Sequence, residues 1–184
     1  MTIANTTTPF TIHPARSPHD VAATAALFRA YHEWLNIDLS FQSFAAELAS
    51  LPGKYAPSAG GEILLARVDD EVVGCVALRD ISGVVADYTS RNGSGSGRRS
   101  KIAEVKRLYT LPAARGLGVG NALVTAVMDV ARSRGYDEVR LDTLPRMPAA
   151  IALYKRAGFE EVDKYYDTDL EGTIFMGCVL DKEG

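Results

Sequence analysis

A glycine-rich hexapeptide, Arg115-Gly116-Leu117-Gly118-Val119-Gly120, carries the clearest chemical signal in the chain. It lies between an apolar, strand-like segment, 102–110, and a segment with apolar residues at helical spacing, 119–133. Because glycine leaves the backbone uncovered, several N–H groups in such a turn can point at one anion, and the helix dipole adds positive potential. Arg115 adds a fixed charge and a planar set of donors. The hexapeptide therefore predicts a site for a phosphate or pyrophosphate group.

Two widespread phosphate-binding loops fit this turn less well. The dinucleotide-binding fingerprint requires glycines spaced G-x-G-x-x-G, whereas here they are spaced G-x-G-x-G. A P-loop requires Lys and then Ser or Thr after its glycines, and Gly120 is followed by Asn121. A tight turn that uses glycine only for its positive φ angles is the alternative interpretation. The flanking segments must decide between the two.

The strand-like segment before the turn contains charged residues in an otherwise apolar run. Glu104 is one of them, and a carboxylate in such a run is costly unless it is paired or has a function. Strict strand alternation predicts Glu104 and Lys106 on one face of the strand, with Val105 and Arg107 on the other. Glu104 is therefore a candidate site residue, and the alternative is a structural ion pair with Lys106 or another cation.

The elements that must position these groups follow a mixed α/β order. The patterns predict strands over 9–14, 62–68, 71–78, 102–110, 139–143, 159–162 and 173–180, and helices over 17–36, 41–51, 119–133 and 148–157. The composition of 82–100 predicts a flexible loop insertion, and residues 10–181 are expected to be ordered. The aromatic group Tyr31, Trp34, Phe41 and Phe44 is interpreted as core, with a wall of a substrate pocket as the alternative. The order predicts one domain with a mixed sheet and helices on both faces.

Composition excludes several classes of protein. The 184 residues are 47% hydrophobic and 23% charged, as in ordinary globular domains. A net charge of −3 argues against general binding to nucleic acid or an anionic membrane, and no apolar run is long enough to span a bilayer. The two cysteines lie in apolar runs and the N-terminus lacks a secretory pattern, so we expect a reduced, cytoplasmic location. The three histidines have no metal-site spacing, so no metal is expected.

Three segments together resemble motifs of the GCN5-related N-acetyltransferase (GNAT) superfamily. The hexapeptide 115–120 is similar to the Q/R-x-x-G-x-G/A signature for acetyl-coenzyme A (acetyl-CoA). Residues 103–110 (AEVKRLYT) resemble the strand that leads to the cofactor. Residues 150–159 (AIALYKRAGF) resemble the A-x-x-L-Y-x-x-x-G-F helix-turn. Their order and spacing match the family, and the resemblance covers roughly residues 10–181.

The resemblance implies an α/β (α+β) fold of the GNAT type, with a mixed, splayed central sheet of about six to seven strands flanked by helices. The whole chain, 1–184, would then be a single acetyltransferase domain with acetyl-CoA as co-substrate. The pantetheine would bind the backbone of Leu108, Tyr109 and Thr110. The implied pyrophosphate site consists of Arg115, Gly116, Leu117, Gly118, Val119, Gly120 and Asn121.

The resemblance also implies direct transfer of an acetyl group to a primary amine of a small molecule or peptide. The enzyme must then take a proton from an ammonium and return one to sulfur. Tyr154 is the predicted general acid, because a phenol stays protonated at neutral pH and the matching family tyrosine lies beside the sulfur. A core tyrosine on an amphipathic helix is the alternative. Glu104 is the predicted base, directly or through water, and its alternative is the structural ion pair.

Other functions remain open from the sequence. A non-catalytic acyl-CoA sensor or interaction domain would keep the glycine turn without a working acid and base, and an O-acetyltransferase would use the same site. Arg91, Arg98 and Arg99 form a basic group that could contact nucleic acid, but the acidic net charge disfavours this. We therefore expect neither a nucleic-acid nor a membrane partner. The resemblance is compatible with a homodimer.

Overall fold

Seven strands form one mixed sheet in the computed structural model, which describes residues 9–36, 44–91 and 100–181. The strands are β1 (Thr11–Pro14), β2 (Glu62–Val68), β3 (Glu71–Asp80), β4 (Ile102–Thr110), β5 (Glu138–Thr143), β6 (Glu160–Glu161) and β7 (Ile174–Val179). Their order across the sheet is β1-β2-β3-β4-β5-β7-β6. The pair β4–β5 is parallel and the other pairs are antiparallel. The predicted mixed sheet of six to seven strands is confirmed.

The helices flank this sheet. They are α1 (Pro18–Leu35), α2 (Phe44–Ala49), α3 (Ser82–Arg91), α4 (Val119–Ser133) and α5 (Pro148–Arg156), with 3-10 turns at Gly53–Tyr55, Pro57–Ala59 and Pro112–Ala114. The start of α1 follows its local sequence. Ser17 accepts a hydrogen bond from the Asp20 N–H, Asp20 accepts one from the Ser17 N–H, and Pro18 occupies the first turn. Across the described ranges, no helix is long and apolar enough to cross a membrane.

Each face of the sheet has its own core. On one face, α4 packs Leu123 and Val127 against Ala103 and Val105 of β4. On the other face, α1 packs with Cys75 and Ala77 of β3 and Ile63 and Leu65 of β2, through Leu27 and Phe28. Because successive strand residues point to opposite faces, the charged residues that alternate with Ala103 and Val105 face the α1 side.

The sheet opens at its centre. The parallel pairing of β4 and β5 covers only three positions, Ile102–Glu104 against Glu138–Arg140. Beyond them, residues 105–110 of β4 keep their partner β3 on one side. Among the described residues, no strand pairs with the opposite edge of this stretch. The predicted splay is therefore present, and it leaves backbone donors and acceptors of β4 facing a cleft.

A β-bulge corrects the predicted facing of Arg107. Cys75 pairs with Tyr109 and Ala77 with Lys106, so two β4 residues oppose one residue of β3. Arg107 has a φ of 58°, in the left-handed region. The extra residue shifts the alternation, and the Arg107 side chain lies on the α1 face rather than beside Val105. The side chains of Lys106 and Arg107 thus both lie on the same face of the sheet.

The predicted flexible insertion at 82–100 is wrong for its first half, which forms α3. The composition of this segment is polar and rich in small residues, yet Val85 is buried in a cluster with Ile102 and Tyr165. Tertiary packing therefore overrides weak local propensity. The remainder, 92–99, and the predicted start of the second helix at Phe41 lie outside the described residues.

Candidate active site

The glycine turn forms the N-terminal entry to α4. Gly116 and Gly118 have φ angles of 83° and 85°, which other residues adopt only with strain. The helix begins with a bond from the Ala122 N–H to the Gly118 carbonyl, so the amides of the preceding turn have no partner within the helix. Residues 115–118 are exposed. Free amides, open access and the positive end of the helix dipole together suit a pyrophosphate.

The turn adjoins the end of β4 and the middle of α5. A methyl group added at Gly120 would lie 3.3 Å from Leu153 Cδ1 and 3.9 Å from Thr110 Oγ1. Leu153 directly precedes Tyr154 on α5, and Thr110 ends β4. The three motifs singled out in the sequence therefore meet in space. Gly120 permits this close approach because it has no side chain.

The opening between β4 and β5 is a narrow cleft of about 50 Å³, which we call the β4–β5 cleft. Its lining comprises Tyr31, Leu35, Val105, Lys106, Arg107, Leu108, Asp142, Thr143, Leu144, Met147, Tyr154 and Leu170. One wall is the β4 edge that lacks a strand partner. An extended ligand could hydrogen-bond this edge as an added strand would. Leu108 lines the cleft, and Tyr109 and Thr110 continue the same stretch of backbone.

Tyr154 lines the β4–β5 cleft from α5 and is 7% exposed. Its ring packs edge-on against Phe159 at 5.8 Å between centroids. Burial, together with the nearby Tyr31 and Asp142, raises the pKa of the Tyr154 phenol above its ordinary value of 10. The phenol is therefore protonated throughout the neutral range, as a general acid requires.

Glu104 is fully buried and both of its carboxylate oxygens have partners. Arg79 Nε donates to Oε2 at 2.6 Å, and the Tyr165 hydroxyl donates to Oε1 at 2.7 Å. Lys106 Nζ lies 3.9 Å from Oε1. These contacts favour the structural ion pair over direct proton abstraction by Glu104, and its assignment as base stays a prediction.

A second, larger cavity of about 310 Å³ opens on the α1 face, and we call it the charged cavity. Its lining comprises Glu47, Lys54, Arg79, Ile81, Val84, Lys106, Arg107, Tyr165, Tyr166 and Asp167. Lys106 and Arg107 line both this cavity and the β4–β5 cleft. The bulge in β4 is the reason that both cations reach this junction, because it places consecutive residues on one face.

Glu47 of α2 holds two of the cavity's cations. Arg107 Nε donates to its Oε1 at 2.9 Å, and Lys54 Nζ donates to Oε2 at 2.7 Å. The Tyr55 hydroxyl donates to Oε1 at 3.1 Å. Burial alone would raise the pKa of Glu47, but Arg107 and then Lys54 outweigh burial and lower it to about 2. Glu47 therefore stays ionised at neutral pH.

Lys106 and Asp142 form the ion pair at the wall of the cleft. Lys106 Nζ donates to Asp142 Oδ1 at 2.6 Å. Burial alone would lower the pKa of Lys106, but the charges of Asp142 and Glu104 outweigh it and raise that pKa. Burial would raise the pKa of Asp142, but Lys106 outweighs it and lowers that pKa. Both groups are thus charged at neutral pH and form an ion pair.

Trp34 departs from its interpretation as core. It is 48% exposed, and the Arg115 guanidinium lies over its ring at 5.4 Å from the centroid. Trp34 also contacts Tyr109, at 6.1 Å between ring centroids. The end of α1 thus reaches the predicted pyrophosphate turn through a cation–π contact. Leu117 and Asn121, predicted to contact the same anion, are exposed at this turn.

Sequence reasoning missed much of the charged cavity. Arg79, Lys54 and Glu47 are not among the site residues predicted from the sequence. Tyr165 and Tyr166, which lie between β6 and β7, also line the cavity. Charged residues inside the apolar β4 were the one visible sign of this network. Within residues 9–36, 44–91 and 100–181, no group of three or more His, Cys, Asp or Glu side chains could hold a metal ion.

A mixed sheet splayed at its centre, with an exposed glycine turn at a helix N-terminus beside the splay, is the architecture that the family resemblance implies. Comparison with known proteins agrees. A family model described as acetyltransferase (GNAT) family matches residues 24–159. The chain belongs to the GNAT family.

Proteins similar to this chain are named as N-acetyltransferases or acetyltransferases. The chain is 34% identical to an uncharacterized N-acetyltransferase of Dictyostelium discoideum, covering 76% of this chain and 85% of that protein. It is 30% identical to an uncharacterized N-acetyltransferase of Schizosaccharomyces pombe, covering 93% and 95%. An acetyltransferase structure from Streptococcus agalactiae superposes with a TM-score of 0.68 at 19% identity, covering 95% of this chain and all of that one. These comparisons support the acyltransferase class and the fold.

Proposed function

We propose that this protein is an N-acetyltransferase that moves the acetyl group of acetyl-CoA directly to a primary amine of a small molecule or peptide. The observation that carries the proposal is the meeting of three parts at one place. Gly120 of the anion-binding turn lies against Thr110 of the open β4 edge and against Leu153, the neighbour of Tyr154. The glycine turn, the open backbone edge and the helix that carries the Tyr154 phenol are thus close together.

The described residues fit acetyl-CoA. The amides of 116–121 and the Arg115 guanidinium would hold the pyrophosphate, because they combine free donors with positive charge. The backbone of Leu108, Tyr109 and Thr110 would hold the pantetheine through the hydrogen-bonding positions that β5 leaves open. When bound, acetyl-CoA supplies an activated thioester. Tyr154 would hold a proton on its hydroxyl oxygen and deliver it to the departing sulfur.

The acceptor amine would enter through the charged cavity and reach the cleft at Lys106 and Arg107. Positive charges close to an ammonium lower its pKa and favour the neutral amine, which is the form that can attack a carbonyl. Glu104 would hold Arg79 and Tyr165 at the wall of this path. In this arrangement, the positive charges of the cavity, rather than one carboxylate, would promote part of the loss of the proton from the ammonium.

The direct test uses purified protein in two measurements. Calorimetric titration with acetyl-CoA measures binding, and release of free thiol over a panel of amines measures transfer. Amine-dependent thiol release with formation of the acetylated amine would support the proposal. Binding without release to any amine, or to any alcohol, would favour the acyl-CoA sensor. Absence of acetyl-CoA binding would contradict both.

A further inference from the structure

The charged cavity has more positive than negative charge in its wall. Lys54, Arg79, Lys106 and Arg107 line it, and their ion pairs involve three carboxylates, Glu47, Glu104 and Asp142. The remaining acid at the cavity, Asp167, pairs with Lys164 at 3.2 Å. Among the described residues, four cations therefore share three carboxylates. A buried positive charge in excess is costly unless a ligand balances it.

Several donors in this wall have no hydrogen-bond acceptor among the described residues. Arg79 directs Nε and Nη2 to one oxygen of Glu104, and Arg107 directs Nε and Nη2 to Glu47. Within the described residues this leaves the Nη1 groups of both arginines, and two of the three Lys54 protons, available. Guanidinium and ammonium donors of this kind form strong, charge-assisted bonds to carboxylates.

The cations are distributed along the cavity. Lys106 and Arg107 stand where the cavity meets the β4–β5 cleft, whereas Lys54 and Arg79 line only the cavity. The side chain of Lys54 is 39% exposed and that of Arg79 is 26% exposed, so both are accessible to a solute. A ligand that presents its amine at the cleft would place its far end at Lys54 and Arg79.

We propose that the acceptor is an amine that also bears a carboxylate, and that Lys54 and Arg79 bind this carboxylate. The inference rests on the proposed acetyl transfer and specifies its substrate class. The amine nitrogen forms a bond to the acetyl carbon as the carbon–sulfur bond breaks, the amine loses a proton and the sulfur gains one. The carboxylate takes no part in the chemistry. It anchors the acceptor and offsets the surplus positive charge of the cavity.

The same wall disfavours diamines and polyamines. A second ammonium would have to lie beside Lys54 and Arg79, and like charges at short range in a partly buried site repel strongly. A carboxamide would keep the shape of the acceptor's far end but lose its charge. Carboxylate, carboxamide and diamine forms of one acceptor skeleton therefore separate charge recognition from shape.

The test compares the common α-amino acids, β-alanine and the dipeptide glycylglycine with their carboxamides and with 1,4-diaminobutane. Binding to the CoA-loaded protein is measured by calorimetry, and transfer is measured by thiol release with acetyl-CoA. At least one carboxylate is expected to bind about tenfold or more tightly than its carboxamide. Preference for free amino acids or for the dipeptide would identify the source of the carboxylate.

Variants of Lys54 locate the anchor. Lys54→Met should abolish the preference for carboxylate over carboxamide, because it removes the ammonium that binds the carboxylate. Glu47 keeps its hydrogen bond from Arg107, so we expect the variant to fold. Lys54→Arg should retain the preference. Arg132→Met is the matched control, since Arg132 lies on α4 in an exposed pair with Asp129, on the opposite face of the sheet.

The outcomes separate the substrate class from the transfer reaction. Equal binding of carboxylates and carboxamides, no binding of any carboxylate, or an undiminished preference in Lys54→Met would overturn the carboxylate anchor. Faster transfer to diamines or carboxamides would overturn it while supporting acetyl transfer. Tight carboxylate binding without thiol release would support the anchor and contradict the transferase.

Discussion

Replacing Glu47 with Gln tests whether the charged cavity is held together as the structure indicates. The pKa of Glu47 falls from 4.5 to about 2 because Arg107 and Lys54 outweigh burial. A carboxyl with a lower pKa in the folded state adds stability above its unfolded pKa and loses it as pH falls through the folded value. At neutral pH this shift corresponds to about 3 kcal/mol of unfolding free energy, of which about 2 kcal/mol is lost by pH 3.

The assay is urea unfolding followed by circular dichroism at pH 7, 5 and 3. The wild type should lose about 2 kcal/mol of the Glu47 contribution over this range, and Glu47→Gln, which cannot titrate at this position, should not show this loss. At pH 7 the variant should be less stable by about 3 kcal/mol, because Arg107 loses its buried counter-charge. Glu161→Gln removes an exposed pair with Lys155 and should keep the wild-type pH dependence.

Equal losses of stability in wild type and Glu47→Gln between pH 7 and pH 3 would refute the reasoning. A carbon NMR titration of the wild type that gives the Glu47 carboxyl a pKa near the ordinary 4.5, rather than near 2, would refute it as well. The NMR titration uses only the wild type, so it decides the matter even where the variant fails to fold.

Three further predictions concern the site. Tyr154→Phe should lower kcat about a hundredfold at unchanged acetyl-CoA affinity, because the general acid is lost. The control Tyr136→Phe removes hydrogen bonds to Gly60 and Asp80, so it should lower stability and leave kcat unchanged. A kcat within twofold of wild type in Tyr154→Phe would show that its phenol takes no part in the chemistry. Gly118→Val should weaken acetyl-CoA binding in calorimetry about tenfold or more, because φ is 85° there, while Gly83→Ala, with open space around it in α3, should bind normally. Glu104→Gln should lower stability, because Arg79 loses its buried counter-charge, and it should leave the pH profile of kcat unchanged. A shifted pH profile would support Glu104 as the base.

Local signals determined most of the secondary structure. Ser17, Pro18 and Asp20 specify the start of α1 within four residues, and their capping contacts form as the sequence predicts. Gly116 and Gly118 similarly specify a turn that other residues would strain. Such signals act over one or two turns of chain, so they can be read without knowledge of the fold. Hydrophobic patterns gave the order of the elements, and the family resemblance then implied the splayed sheet.

The tertiary structure decided on which face of the sheet the β4 side chains lie and which residues form the charged cavity. Whether β4 contains a bulge depends on its pairing with β3, and the bulge moves Arg107 to the opposite face from the one that alternation predicts. The helix α3 similarly depends on burial of Val85 against Ile102 rather than on its own propensity.

The sequence by itself determined the glycine turn before α4, and it predicted an anion site there and a role for Tyr154. Only the tertiary structure brought Glu47 and Lys54 to Arg79 and Arg107, which are separated from them by 25 residues or more. Long-range ion pairs of this kind form only when strands and helices have assembled, because each charge requires the partner's position to offset its desolvation. The charge of the charged cavity is therefore a property of the fold rather than of any segment.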